Sequence, residues 1–232
     1  MSPPLRTLSQ PCGAQQLLVL LPGAYMTAAD FVSHGFFSTV AERRLAVDLV
    51  AVDLDLAAIS DGSALPKLHA EILAPARAQG YEKIWLGGIS LGGLLALCHT
   101  ADTPGAVDGL CLLAPYPGSR LTTNAIARAG GLAQWQARPD QLTDPEFRLW
   151  RWLQQPPADL PVFVGYGSED RFAAGMQQIA ECFPPAARCA MPGDHDWPVW
   201  QKLWAHFLDA GHFPERMPEC APEPRKRAAL AD

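Results

Sequence analysis

Three unbroken apolar runs constrain this chain most. Leu17-Leu18-Val19-Leu20-Leu21, Ile84-Trp85-Leu86 and Leu110-Cys111-Leu112-Leu113 contain no polar alternation. A strand with one face in water alternates, whereas a strand covered on both faces does not. Longer stretches with helical spacing lie between the runs. Asp30 to Arg44 sets Phe31, Phe36, Phe37 and Val40 on or near one face. Leu65 to Gln79 has Pro66 in its first turn and Gly80 as its stop, and Pro75 inside it predicts a kink. Leu91 to Ala101 is strongly helical, and further strands are predicted at Val47 to Leu54, Lys83 to Ile89 and Val107 to Ala114. Strand followed by helix, repeated, predicts an α/β fold: a mostly parallel central sheet of about six strands, flanked by helices on both faces.

The rhythm breaks after Tyr116. Residues 117 to 160 hold two helical stretches, about Thr122 to Ala137 and Asp144 to Gln155, without a good strand, and predict a helical cap inserted over one end of the sheet. The alternation resumes with a strand at Pro161 to Tyr166, a helix at Arg171 to Cys182, a weaker strand at Ala186 to Met191 and a helix at Trp197 to Ala210. Residues 1–210 therefore read as one domain. From Gly211 onward Pro214, Pro218, Pro222 and Pro224 stand among mixed charges and predict a loosely attached tail over 211–232.

Composition narrows the function. With 49% hydrophobic and 18% charged residues, a chain of 232 residues can bury a substantial core. The net charge of −6 and the lack of a basic stripe argue against nucleic acid. No apolar run nears the ~18 residues of a membrane helix, so no membrane partner is expected. The first residues lack the apolar core of an export signal, which makes the cytoplasm the expected compartment. The six cysteines form no C-x-x-C pair and read as free thiols, not as a metal site or a redox dithiol.

Chemistry enters at Gly88-Ile89-Ser90-Leu91-Gly92. The pentapeptide joins a predicted strand to a predicted helix, the context in which G-x-S-x-G forms a sharp turn that lifts a serine above the sheet. Residues two positions either side must then be small, and both are glycine. The helix start beneath favours developing negative charge. A serine hydroxyl needs a base. His34, His69 and His99 come too early for the chain order serine, acid, histidine. His195, in Pro192-Gly-Asp-His-Asp-Trp-Pro198, lies in a polar loop after the last strand, where an open parallel sheet places its site. His206 and His212 lie on or after the last helix. The acid that orients the imidazole is expected at Asp170, in Gly167-Ser-Glu-Asp-Arg171, with Glu169 as the adjacent rival and helix capping as a compatible second role. Asp194 and Asp196 flank the histidine too closely to reach its far nitrogen. Donors for an oxyanion are expected from the Leu91 N–H and from the Pro22-Gly23 loop, at Ala24 first and Tyr25 second.

These segments resemble the α/β-hydrolase family, and its small serine esterases in particular, over about residues 15 to 210. The likeness rests on the Gly88 to Gly92 elbow, the segment ending in Asp170 and the Gly-Asp-His195-Asp-Trp segment. It implies Ser90 as nucleophile, Asp170 as acid, His195 as base and the Ala24 and Leu91 amides as oxyanion donors. Pro22-Gly23 stands where many members have His-Gly, and the chain before the first clear strand leaves little room for the family's N-terminal hairpin. The expected function is hydrolysis of a carboxylic ester or thioester of a small-molecule acyl substrate, without metal or cofactor, by a monomer or homodimer. A non-catalytic binding module on the same fold is the alternative, as is an acyltransferase, peptidase or carbon–carbon hydrolase with the same triad. The cap carries Trp135, Phe147, Trp150 and Trp152 with Arg120, Arg128, Arg138, Arg148 and Arg151. These either bind an apolar or anionic substrate group or pack the cap and face water.

Overall fold

The computed structural model describes residues 3–216. In chain order it contains β1 (Thr7–Gln10), β2 (Gln16–Leu21), α1 (Ala28–Ser33), α2 (Phe36–Glu42), β3 (Asp48–Val52), α3 (Leu56–Ser60) and α4 (Ala64–Leu68). A π-helical turn at His69–Leu73 leads to α5 (Ala74–Ala78), β4 (Lys83–Ile89), α6 (Leu91–Asp102), β5 (Gly109–Leu113), α7 (Arg120–Arg128) and α8 (Pro145–Trp152). The chain closes with β6 (Val162–Gly167), α9 (Ala173–Glu181), β7 (Arg188–Met191) and α10 (Trp197–Asp209).

The strands form one sheet in the order β1-β3-β2-β4-β5-β6-β7. All neighbours pair in parallel except β1, which lies antiparallel on the outer edge of β3. The six expected strands are present and β1 is a seventh. Its sequence, Thr-Leu-Ser-Gln, is mostly exposed and carries no apolar run, so only its pairing with β3 defines it. Leu17 to Leu21, Ile84 to Ile89, β5 and β6 are buried at every residue, which confirms that helices cover both faces.

Local departures have local causes. The helix expected over Asp30 to Arg44 is broken at Gly35, whose φ of 81° ends α1 and starts α2. Pro75 offers no N–H and crowds the carbonyl four residues back. The turn just before it widens into the π form, which takes the place of the expected kink. Asp53, at the end of β3, accepts the Ala28 N–H at 2.6 Å and so fixes the start of α1.

The stretch expected as a cap divides in two. α8 runs along α6: Arg148 pairs with Asp102 at 2.7 Å, and the Cys98 thiol approaches the Pro145 carbonyl. It packs on α6, which in turn covers β2, β4 and β5. Trp135, Phe147 and Trp150 are buried as part of the main hydrophobic core, and within the insertion the Trp150 indole donates to the Pro117 carbonyl at 3.0 Å. Arg138 pairs with Asp140, whereas Arg120, Arg128 and Arg151 are exposed.

The first residues of the expected tail are docked, which corrects the expectation for Gly211 to Arg216. Phe213 is buried against Trp85 and Phe207, the Pro214 carbonyl accepts the Ala46 N–H at 2.8 Å, and the Arg216 N–H donates to the Arg44 carbonyl at 2.7 Å. Prolines at 218, 222 and 224 lie outside the described residues. No helix among the described residues is long and apolar enough to cross a membrane.

Candidate active site

The register brings the strand ends to one edge. Leu21 stands opposite Gly88, Ile89 opposite Leu113, and Gly167 opposite Met191. The loops that leave β2, β4, β5, β6 and β7 therefore start at nearly one level, and they carry every residue singled out for chemistry.

Ser90 sits at φ 52° and ψ −113°, a conformation that a residue with a side chain adopts only under constraint. The constraint is visible. The Ser90 N–H donates to the Leu113 carbonyl at 3.0 Å, and its own carbonyl accepts from Leu94 at 3.1 Å and Tyr116 at 2.9 Å. A Cβ on Gly88 would lie 2.3 Å from the Gly92 carbonyl carbon, and one on Gly92 would lie 2.1 Å from the Leu21 carbonyl oxygen. Both glycines are required by backbone packed against backbone.

His195 Nε2 lies 2.9 Å from Ser90 Oγ. On its other side His195 Nδ1 is hydrogen-bonded to Asp170 Oδ2. The Asp170 side chain is wholly buried, and its second oxygen accepts the Phe172 N–H at 2.8 Å. Asp170 is thus the imidazole partner and closes the turn ahead of α9, but it does not cap that helix as expected, because α9 starts only at Ala173, with Phe172 as its N-cap and no side-chain cap bond. Two backbone bonds lace its loop to the histidine loop: Ser168 N–H to the Met191 carbonyl (2.8 Å) and Glu169 N–H to the Gly193 carbonyl (3.0 Å). Gly167 permits this approach, since a Cβ there would lie 2.3 Å from the Gly193 oxygen.

The alternatives fall elsewhere. Glu169 is exposed and lines a cleft of about 470 Å³ with Arg171, Asp194, His195 and Asp196. Asp194 accepts the His195 N–H at 2.8 Å, and Asp196 caps α10 through the Val199 N–H, so both are local turn residues as expected. His206 lies beside Phe163, and His212 lies beside Trp85, near the opposite end of β4. His69 and His99 face each other at 3.3 Å. Leu91 opens α6 directly after Ser90. Gly23 lies against Ser90, where an added Cβ would come within 3.6 Å of Ser90 Cβ. Ala24 and Tyr25 follow it in a turn closed by Met26 N–H on the Gly23 carbonyl at 3.1 Å.

Two contacts had no signal in the spacing of the sequence. The imidazole of His195 is bracketed by Phe172, at 5.7 Å and 82° between ring planes, and Trp200, at 5.1 Å and 87°. Tyr116 meets the Phe172 ring edge to face, at 5.2 Å. The Trp200 indole N–H is buried without a partner among the described residues. Its place one turn into α10, whose cap follows His195, is the only hint that the sequence offers.

No protein-family model matches the sequence. The 2-succinyl-6-hydroxy-2,4-cyclohexadiene-1-carboxylate synthase of Enterobacter sp. (strain 638) is 30% identical over 126 residues. That match takes in 50% of this chain and 48% of the synthase, so the chain spans about half of that relative's length. Among solved structures, a fluorophosphonate-binding serine hydrolase of Staphylococcus aureus superimposes with a TM-score of 0.63 at 12% identity, covering 89% of this chain and 98% of that one. The S-formylglutathione hydrolase of Staphylococcus aureus gives 0.58 at 12% identity, with 86% and 82% covered. The monoacylglycerol lipase of Paleococcus ferrophilus gives 0.55 at 14%, with 88% and 96% covered. The chain has the α/β-hydrolase fold.

Proposed function

We propose that this chain is a serine hydrolase that cleaves a carboxylic ester or thioester of a small molecule. The observation that carries the reading is the continuous hydrogen-bonded line from Ser90 Oγ through both nitrogens of His195 to buried Asp170. In this mechanism Ser90 Oγ attacks the substrate carbonyl while His195 Nε2 takes the hydroxyl proton. Asp170 holds the tautomer with the Nδ1 proton facing it and stabilises the imidazolium. The tetrahedral oxyanion is met by the Leu91 and Ala24 N–H groups. Collapse breaks the bond to the alcohol or thiol, which leaves with the proton from Nε2. Water, deprotonated by the same nitrogen, then attacks the acyl-enzyme and releases the acid, and the proton returns to Ser90.

The strained backbone at Ser90 supports catalysis over a purely binding role, because a strand-to-helix turn without chemistry has no need of it. The likeness to a synthase favours a second reading, in which the same three side chains act on a carbon–carbon bond. A fluorophosphonate probe with mass-spectrometric site mapping tests the leading reading. Labelling is expected on Ser90 in the wild type, and its loss is expected in Ser90→Ala and His195→Ala. Folded wild type that takes no label would defeat it. Labelled protein that turns over no ester or thioester would move the assignment to the second reading.

A further inference from the structure

Tyr25 combines two features that do nothing for the fold. Among the described residues it is the most exposed large hydrophobic side chain, 91% open to solvent. Its φ is 63°, at the third position of the Gly23 to Met26 turn, where a Cβ raises the backbone energy and glycine is the usual occupant. A turn of this shape is made more easily without the ring, and the ring packs against little. An outlier of this kind beside a reactive group points to function.

Its position says which function. β2 lies on one side of β4, whereas β5, β6 and β7 lie on the other. Ser90 leaves the end of β4, His195 follows the end of β7, and Gly23, two residues before Tyr25 in the loop after β2, is near enough that a Cβ on it would lie 3.6 Å from Ser90 Cβ. A leaving group must receive its proton from His195 and so lies on the imidazole side. The acyl group then extends toward the other side. We infer that the Tyr25 ring is a specificity-determining residue that flanks the apolar acyl chain of an ester bound at Ser90. This rests on the serine-hydrolase reading above, and it makes an extended apolar acyl group the preferred substrate class.

The test compares wild type, Tyr25→Gly and Tyr25→Phe on p-nitrophenyl acetate, butyrate and octanoate, with thermal melting and fluorophosphonate labelling in parallel. Tyr25→Gly keeps the backbone N–H and relieves the positive φ, so it is expected to melt no lower than the wild type. Its kcat/KM is expected to fall progressively with chain length, by about tenfold on the octanoate and least on the acetate. Tyr25→Phe is expected to keep the wild-type chain-length dependence, since the contact is through the ring. A uniform fall across the series, no fall, or equal losses in both variants overturns the inference while active, labelled wild type leaves the serine-hydrolase reading standing. Folded wild type that neither labels nor hydrolyses any of the three esters overturns both.

Discussion

Gly92 shows how narrowly single residues determine this site. A methyl group there would meet the Leu21 carbonyl oxygen at 2.1 Å, with β2 on one side and the start of α6 on the other. Neither is a flexible side-chain end, so the strain cannot be relieved locally. Gly92→Ala is expected to lose about 3 kcal/mol of stability in urea titration and to abolish labelling of Ser90. Asp170 gives the complementary case. Asp170→Asn keeps the size of the side chain and its carbonyl oxygen can still accept the Phe172 N–H, yet its amide favours the wrong imidazole tautomer. Ester turnover is expected to drop about 10³- to 10⁴-fold with the melting temperature little changed, read from kcat beside a thermal melt. Ser90, Asp170 and His195, which the structure joins by hydrogen bonds, could all be singled out in the sequence, because each stands in a short run of chemically distinctive residues after a strand. Phe172 and Trp200 were not, because an aromatic near a histidine in sequence is ordinary until the fold sets the ring planes.

At the scale of elements, α6 links the site to a buried titrating group. It starts at Ser90, and on its last turns it carries His99, 2% exposed, with Nε2 3.3 Å from His69 Nδ1 and with Nδ1 unpartnered among the described residues. Burial, reinforced by the His69 charge, pushes the His99 imidazole down to about 4, against a weaker opposing pull from Asp102. The folded chain therefore holds His99 neutral at pH values where the unfolded chain, titrating near 6.5, has taken up a proton. Stability is expected to fall as the pH drops from about 6.5 to about 4 and to level off below that, with a contribution on the order of 1 kcal/mol per pH unit. His99→Leu should flatten that segment of the curve of urea midpoint against pH, and an unchanged slope would assign it to other groups. The nearby π turn had only Pro75 as its sequence signal, which announces a disturbance without saying what form it takes.

For the whole molecule, the sheet and its covering explain which expectations stood. Solid apolar runs mark strands buried on both faces wherever they lie in the sheet, so β2, β4 and β5 could be read directly. The mostly exposed β1, the alignment of α8 with α6 and the docking of Gly211 to Arg216 depend on partners far away in the chain. Phe213 tests the last of these. It is 4% exposed and touches Trp85 at the start of β4 and Phe207 on α10. Phe213→Ala is expected to cost about 3 kcal/mol, measured by denaturant titration. A loss near zero would return the segment to the loosely attached tail that its prolines suggest.

The sequence by itself determined the α/β class, the strands that are covered on both faces, the elbow at Ser90 and the identity of its partners, Asp170 and His195. These are properties of residue type at short range: periodicity, steric demand and the chemistry of a side chain. Only the tertiary structure decided the antiparallel edge strand, the packing of α8 on α6, the contacts of Phe172 and Trp200 with His195, and the exposed ring of Tyr25 at a strained turn that follows Gly23. Those features come from surfaces that meet across the fold, where burial and ring geometry depend on residues that no local pattern brings together.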